Sequence, residues 1–265
     1  MTVMPRFAAN LTMLFTEYPF LERFERAARA GLSAVEYMFP YQEDTDAIAR
    51  LLADLRLTQA LFNLPAGNWG AGDRGIAVDP GRRKEFREGV AQAVELARRF
   101  SCPKLNCLVG KRMDGVPEGD QRATLVENLR YAAEQLARHN LLLLVEPINT
   151  YDIPGFYLST SAQAVALLDD VGAANAGLQY DVYHMQRMEG NLVHTMERLR
   201  SRIGHVQVAD APDRHEPGTG EINFPFVLGA LDRLGYDGYV GLEYRPSERT
   251  ETSFGWIETM GFGRH

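Results

Sequence analysis

Residues 141–156 read LLLLVEPINTYDIPGF. Four leucines and a valine in succession leave no polar face, as expected of a strand covered on both sides in a parallel sheet. The run nevertheless ends on Glu146 and Pro147. A carboxylate is among the groups least often buried unless a partner or a metal ion meets it. The partner of Glu146 must therefore come from elsewhere in the chain.

Just upstream, residues 122–138 place Leu125, Leu129, Ala132 and Leu136 at the three-to-four spacing of one buried helix face. The same alternation of a short apolar run and a helical pattern recurs from end to end. Strands are predicted at 7–13, 34–39, 58–65, 104–109, 141–147, 177–183, 204–209 and 238–244, with a last helix at 246–258. Gly31, Gly172 and Gly235 fall where a left-handed residue closes a helix before the next strand. Such alternation builds a parallel sheet. Eight units close into a (β/α)8 TIM barrel of the α/β class; an open doubly wound sheet is the alternative. A barrel of this kind uses about 250 residues, and no linker or low-complexity segment divides the chain, so residues 1–265 are read as a single domain.

Hydrophobic residues make up 45% of the sequence and charged residues 24%, enough for a large core. The net charge of -7 and the lack of a basic block argue against a nucleic-acid partner. Cys102 and Cys107 have no further Cys or His spacing that would complete a zinc site, and are read as buried reduced thiols suited to the cytoplasm. MTVMPRFAANLTMLF lacks the segments of a signal peptide, and no run reaches about 18 apolar residues. A soluble cytoplasmic protein without a membrane partner is expected, with a homo-oligomer left open. In that setting the sequon Asn10-Leu11-Thr12 is coincidental.

Gly70, Gly72 and Gly75 match G-x-G-x-x-G, but a dinucleotide site needs a helix to start there directly after a strand. IAVDPG follows instead. The segment is read as a long loop after strand three, with Trp69 over the barrel mouth as a candidate lid, and no nucleotide cofactor is expected. GKRMDG lacks P-loop spacing.

A barrel carries its functional groups at the C-terminal strand ends. Glu146 ends strand five, Asp181 strand six and Glu243 strand eight, and Gln207 lies on strand seven. One such glutamate is ordinarily a surface ion pair; four oxygen side chains on successive strands converge on one point. Three carboxylates in a poorly solvated mouth repel and would take up protons unless a divalent cation joins them. All-oxygen ligation suits Mg²⁺ or Mn²⁺ rather than Zn²⁺. His205 shares a face with Gln207 and is read as an internal packing residue, and Lys111 as solvent-exposed.

At these residues the chain resembles the hydroxypyruvate isomerase family of the xylose-isomerase-like barrels over its whole length. The resemblance is carried by RFAANLTMLF, VEYMFPY, FNLPAGNWGAGDRGIA, LNCLVGK, LVENLRYAA, LLLVEPIN with DIPGF, QYDVYHMQRMEG, and HEPGTGEIN followed by GLEY. It implies metal ligation by Glu146, Asp181, Gln207 and Glu243, with Glu146 and Glu243 as the proton-transferring pair. The implied reaction interconverts hydroxypyruvate and tartronate semialdehyde through an enediolate, on a small hydroxy or oxo acid. That substrate carries a carboxylate, which something positive must meet. His184 and Arg214 match positions where related sugar isomerases and epimerases contact substrate, and Glu216 is placed to orient Arg214. The alternatives are a 2-oxo-tetronate isomerase or a ketose 3-epimerase of the same superfamily. Endonuclease relatives need more histidine ligands and a basic rim than six histidines and a charge of -7 provide.

Overall fold

The computed structural model describes residues 5–263. Each of the eight apolar runs forms a strand: β1 (Arg6–Asn10), β2 (Ala34–Tyr37), β3 (Thr58–Asn63), β4 (Lys104–Cys107), β5 (Leu142–Val145), β6 (Ala176–Asp181), β7 (Ile203–Val208) and β8 (Tyr239–Leu242). They pair in parallel in chain order, and β8 closes on β1 with Phe7 opposite Val240, so the sheet is a closed barrel. The helices are α1 (Glu22–Arg29), α2 (Thr45–Asp54), α3 (Arg83–Arg99), α4 (Glu118–Ala137), α5 (Ser161–Val171), α6 (Val182–Met188), α7 (Leu192–Leu199), α8 (Phe224–Arg233) and α9 (Gly255–Thr259). None is long and apolar enough to cross a membrane, among the described residues.

Helix α4 buries Leu125, Leu129, Ala132 and Leu136, the face its spacing predicts. Each such leucine contributes about 1.5–3 kcal/mol relative to exposure. Gly31, Gly172 and Gly235 adopt the expected positive φ, 84°, 67° and 72°. Cys102 and Cys107 are buried free thiols.

Two expectations need correction. The strands stop earlier than their apolar runs, so Glu146 lies just past β5, where Pro147 has no N–H to extend the ladder. The predicted tail helix over 246–258 shrinks to a 3-10 turn at Thr252–Phe254 and then α9. Before it, the amides of Ser247 and Thr250 bond to the carboxylates of Glu216 and Glu17, side-chain acceptors that compete with a helix.

The two faces of the sheet differ in chemistry. Its outer face packs Leu105, Val145, Val206 and Leu242 into the main core under the helices. Inside the barrel, Ala8, Ala34 and Ala60 form a small apolar floor. Above that floor the period of two brings Asn10 and Glu36 inward, and Asn106, Gln179, His205 and Gln207 join them, all buried. Gly241 makes room for this layer, since a Cβ there would come within 2.3 Å of the Glu36 carboxylate.

The G-x-G-x-x-G segment follows β3 with only a 3-10 turn at Trp69–Ala71, and no α-helix opens there; α3 begins only at Arg83. Gly75, at φ 113°, lies against β4 so closely that a Cβ would stand 1.9 Å from the Leu108 carbonyl oxygen. With the Gly75 amide bonded to Ala66 and the Val78 amide to Val109, the loop is pinned across the barrel mouth.

Candidate active site

The strand ends gather Glu146, Asp181, Glu243 and His184, whose ligand-type atoms all lie within 4.8 Å of one another, and all four are buried. Glu146, His184 and Glu243 line a cavity of about 730 Å³ together with Asn10, Gln207 and Arg214.

Asp181 caps the N-terminus of α6. Its Oδ1 accepts the amides of Tyr183 at 2.8 Å and His184 at 3.3 Å, the local reason the chain turns from strand to helix there. Its Oδ2 is buried with no hydrogen-bond partner, 3.5 Å from Arg214. Glu146 accepts a bond from Asn106 at 3.0 Å. Glu243 accepts one from Asn10 at 3.1 Å and one from the Arg214 guanidinium at 2.6 Å.

Three carboxylates crowded out of water hold their protons tightly. Burial, then the charges of Glu243 and Asp181, push Glu146 well above the carboxylate range. Burial raises Glu243 to about 8 against the pull of Arg214. Burial also raises Asp181, opposed by Arg214 and the two capping amides. Burial alone would lower the affinity of Arg214 for its proton, but Glu243, Asp181 and Glu146 outweigh it. The donor-free Asp181 oxygen among oxygen ligands is a site a divalent cation fits, because a cation both satisfies that oxygen and relieves the repulsion.

Two donors face the His184 ring, Asn149 Nδ2 at 2.7 Å from Nδ1 and Arg214 Nη2 at 3.4 Å from Nε2, and the shorter contact sets the tautomer. The side-chain oxygen of Asn149 accepts the amides of Tyr151 and Asp152, at 3.1 and 2.9 Å, so its NH₂ group is the end that faces His184 Nδ1 at 2.7 Å. Nδ1 is therefore an acceptor and the proton sits on Nε2. Nε2 lies 3.8 Å from Glu146 and 3.6 Å from Asp181. Burial, with Arg214 and Arg187, lowers the His184 pKa well below its usual value. The imidazole is neutral and does not supply the positive charge the sequence reading sought from it.

The other expected residues fall as follows. Gln207 lines the cavity, with its Oε1 accepting from Gln179 at 2.5 Å and its Nε2 donating to Glu36 at 2.6 Å. Glu216 does not orient Arg214; its carboxylate bonds to Ser247, and Glu243 and Asp181 hold the guanidinium instead. Lys111 is exposed, and His205 is buried with Nε2 2.7 Å from Glu36.

Glu36 escaped the sequence reading. It is fully buried inside the barrel and accepts bonds from His205, Gln207 and Asn10. Asn10 donates from the same nitrogen to Glu36 and Glu243, so Glu36 shares a partner with Glu243 and bonds to Gln207 directly. The available signal was Glu36 at an inward position of a predicted strand, one residue after Val35 and before Tyr37.

Residues 24–260 match the family model described as xylose isomerase-like TIM barrel. The chain belongs to that family, whose fold it shares. Within it, the chain is an isomerase of the hydroxypyruvate isomerase type. It is 53% identical to hydroxypyruvate isomerase of Escherichia coli K12 over 96% of this chain and 99% of that protein. It is 42% identical to 2-oxo-tetronate isomerase of Cupriavidus necator over 96% of this chain and 98% of that protein. A solved structure from Brucella melitensis, described as an AP endonuclease of family 2, superposes with a TM-score of 0.94 at 45% identity, over 97% of this chain and 99% of that one.

Proposed function

We propose that the chain is a divalent-cation-dependent isomerase interconverting hydroxypyruvate and tartronate semialdehyde. Glu146, Asp181, Gln207 and Glu243 are the cation's ligands, and Glu146 and Glu243 the proton-transferring pair. The observation that carries this reading is the gathering of three buried carboxylates, one oxygen of which, Asp181 Oδ2, has no hydrogen-bond partner. Gln207 Oε1 accepts one bond and keeps a second lone pair, with which it would serve as the fourth oxygen ligand.

The reaction exchanges a carbonyl and a hydroxyl between adjacent carbons, and its difficult step removes a proton beside the carbonyl. A bound divalent cation would supply positive charge to the enediolate as it develops. One glutamate takes the proton and the other returns one to the neighbouring carbon. In the metal-free protein both hold protons more tightly than ordinary carboxylates. His184 Nε2–H and the Nε–H of Arg214, a buried donor without a hydrogen-bond partner, serve substrate oxygens.

The higher identity to a hydroxypyruvate isomerase than to a 2-oxo-tetronate isomerase favours the three-carbon substrate. Purified protein assayed on both compounds, before and after chelation, tests the reading. Hydroxypyruvate should have the larger kcat/KM, and chelation should abolish turnover until Mg²⁺ or Mn²⁺ is restored. A large preference for 2-oxo-tetronate overturns the substrate, and turnover in fully metal-free protein overturns the cation.

A further inference from the structure

Hydroxypyruvate carries a carboxylate, and a cavity rich in acids needs a cation to receive it. Three arginines line the cavity: Arg74, Arg214 and Arg245. Arg214 is held by Glu243 at 2.6 Å and lies 3.5 Å from Asp181 and 3.8 Å from Asp152. Arg245 is exposed to solvent, where a charge binds weakly. Arg74 is half-buried, and among the described residues no carboxylate lies within 4.0 Å of its guanidinium.

Arg74 is also held rigidly. Its guanidinium lies over the Trp69 ring, 4.0 Å from the centroid, and Trp69 in turn packs on Phe39 at 5.3 Å. Its Nη1 donates to the carbonyls of Trp69 at 3.1 Å and Asp73 at 2.6 Å. Those two bonds occupy both hydrogens of Nη1 and leave Nε–H and Nη2–H, the adjacent pair that matches a carboxylate in bidentate fashion. The neighbouring acid does not compete, because Asp73 pairs with Arg82 at 2.7 Å. The next residue, Gly75, fixes the backbone against β4.

We infer that Arg74 is the specificity-determining residue that anchors the substrate carboxylate, with Trp69 as the surface that holds it in place. This rests on the isomerase reading above. The acids of β5, β6 and β8 then address the two reacting carbons, while the loop after β3 selects oxo acids over uncharged ketoses. An Arg214 tied to the acid cluster is left to neutralise that cluster and to donate to a substrate oxygen.

The test is calorimetric titration of Mn²⁺-supplied protein with D-glycerate, a dead-end carboxylate, and with glycerol as its uncharged counterpart, alongside kinetics on hydroxypyruvate. Arg74→Met should weaken glycerate binding about ten- to hundredfold, the worth of a charged hydrogen-bonded contact, and raise KM for hydroxypyruvate more than it lowers kcat. Arg74→Lys should recover part of the affinity, and Arg245→Met should change it less than twofold. Unfolding midpoints of the variants separate lost binding from lost folding. Glycerate affinity unchanged in Arg74→Met, or lost instead in Arg245→Met, overturns the anchor. Those results would leave the isomerase reading standing if hydroxypyruvate still turns over. Glycerate binding that depends on Arg74 in a wild-type protein without isomerase activity would instead support the anchor and overturn the reading of the reaction.

Discussion

Gln207 donates its side-chain amide to Glu36 at 2.6 Å, deep inside the barrel. The contact fixes the orientation of an ambiguous amide, because a carboxylate acceptor compels the NH₂ end toward itself and turns the oxygen toward Gln179. Glu36→Gln keeps the volume but removes that compulsion. On the ligation proposed for Gln207, divalent-cation affinity measured by calorimetry should fall about tenfold or more. Glu36→Ala should cost about 3–5 kcal/mol in urea unfolding, because buried donors on His205, Gln207 and Asn10 lose their acceptor.

Glu146→Gln and Glu243→Gln remove one carboxylate each from a crowded cluster. Turnover of hydroxypyruvate should drop by about 10²-fold or more, the scale of a lost general acid or base. The fold should persist, since glutamine keeps the volume and, like the protonated carboxyl of the metal-free protein, carries no charge. Circular dichroism during a thermal ramp, beside the activity assay, reads both effects. A variant that unfolds would remove these glutamates' special standing.

The metal-free protein should lose stability as pH rises. Glu243 has an ordinary value of 4.5 unfolded and about 8 folded, so the native state binds its proton more tightly. The resulting stabilisation is fully present below 4.5 and is lost as pH climbs through about 8. Glu146 is shifted in the same direction and adds to the trend. Urea midpoints of chelator-treated protein should therefore be higher at pH 6 than at pH 9, the reverse of a carboxylate held by an ion pair. Added Mn²⁺ should narrow the gap by favouring the ionised cluster.

Asn149 sets the tautomer of His184, so Asn149→Asp should reverse it. A carboxylate in that place accepts from Nδ1–H and turns a bare Nε2 toward Glu146 and Asp181. Imidazole nitrogen shifts in NMR should report the exchange. Turnover should fall about ten- to hundredfold, and the cation preference should move toward Zn²⁺, which accepts histidine.

The barrel was legible because it depends on features that repeat along the chain. The run at 141–147 and the helix face at Leu125, Leu129, Ala132 and Leu136 each carry a complete local signal, and both are found in the structure. Glu146, Asp181 and Glu243 could be singled out because each closes an apolar strand, and the structure brings them together. Glu36 could not be found in this way. Its partners Asn10, His205 and Gln207 are 26, 169 and 171 residues distant, and nothing local marks an inward glutamate as bonded. Partner choice misled in two further places. Glu216 lies two residues from Arg214 yet bonds to Ser247, and the end of the chain bends to side-chain acceptors that a helical pattern does not reveal.

Gly241 carries no side chain where the Glu36 carboxylate rests. Positions 36 and 241, on opposite sides of one strand in the closed sheet, therefore amount to a single inherited choice. A lineage that gains a side chain at 241 must displace or surrender the acid at 36, and a chimera that joins the first half of one relative to the second half of another should be most stable when both parents made the same choice.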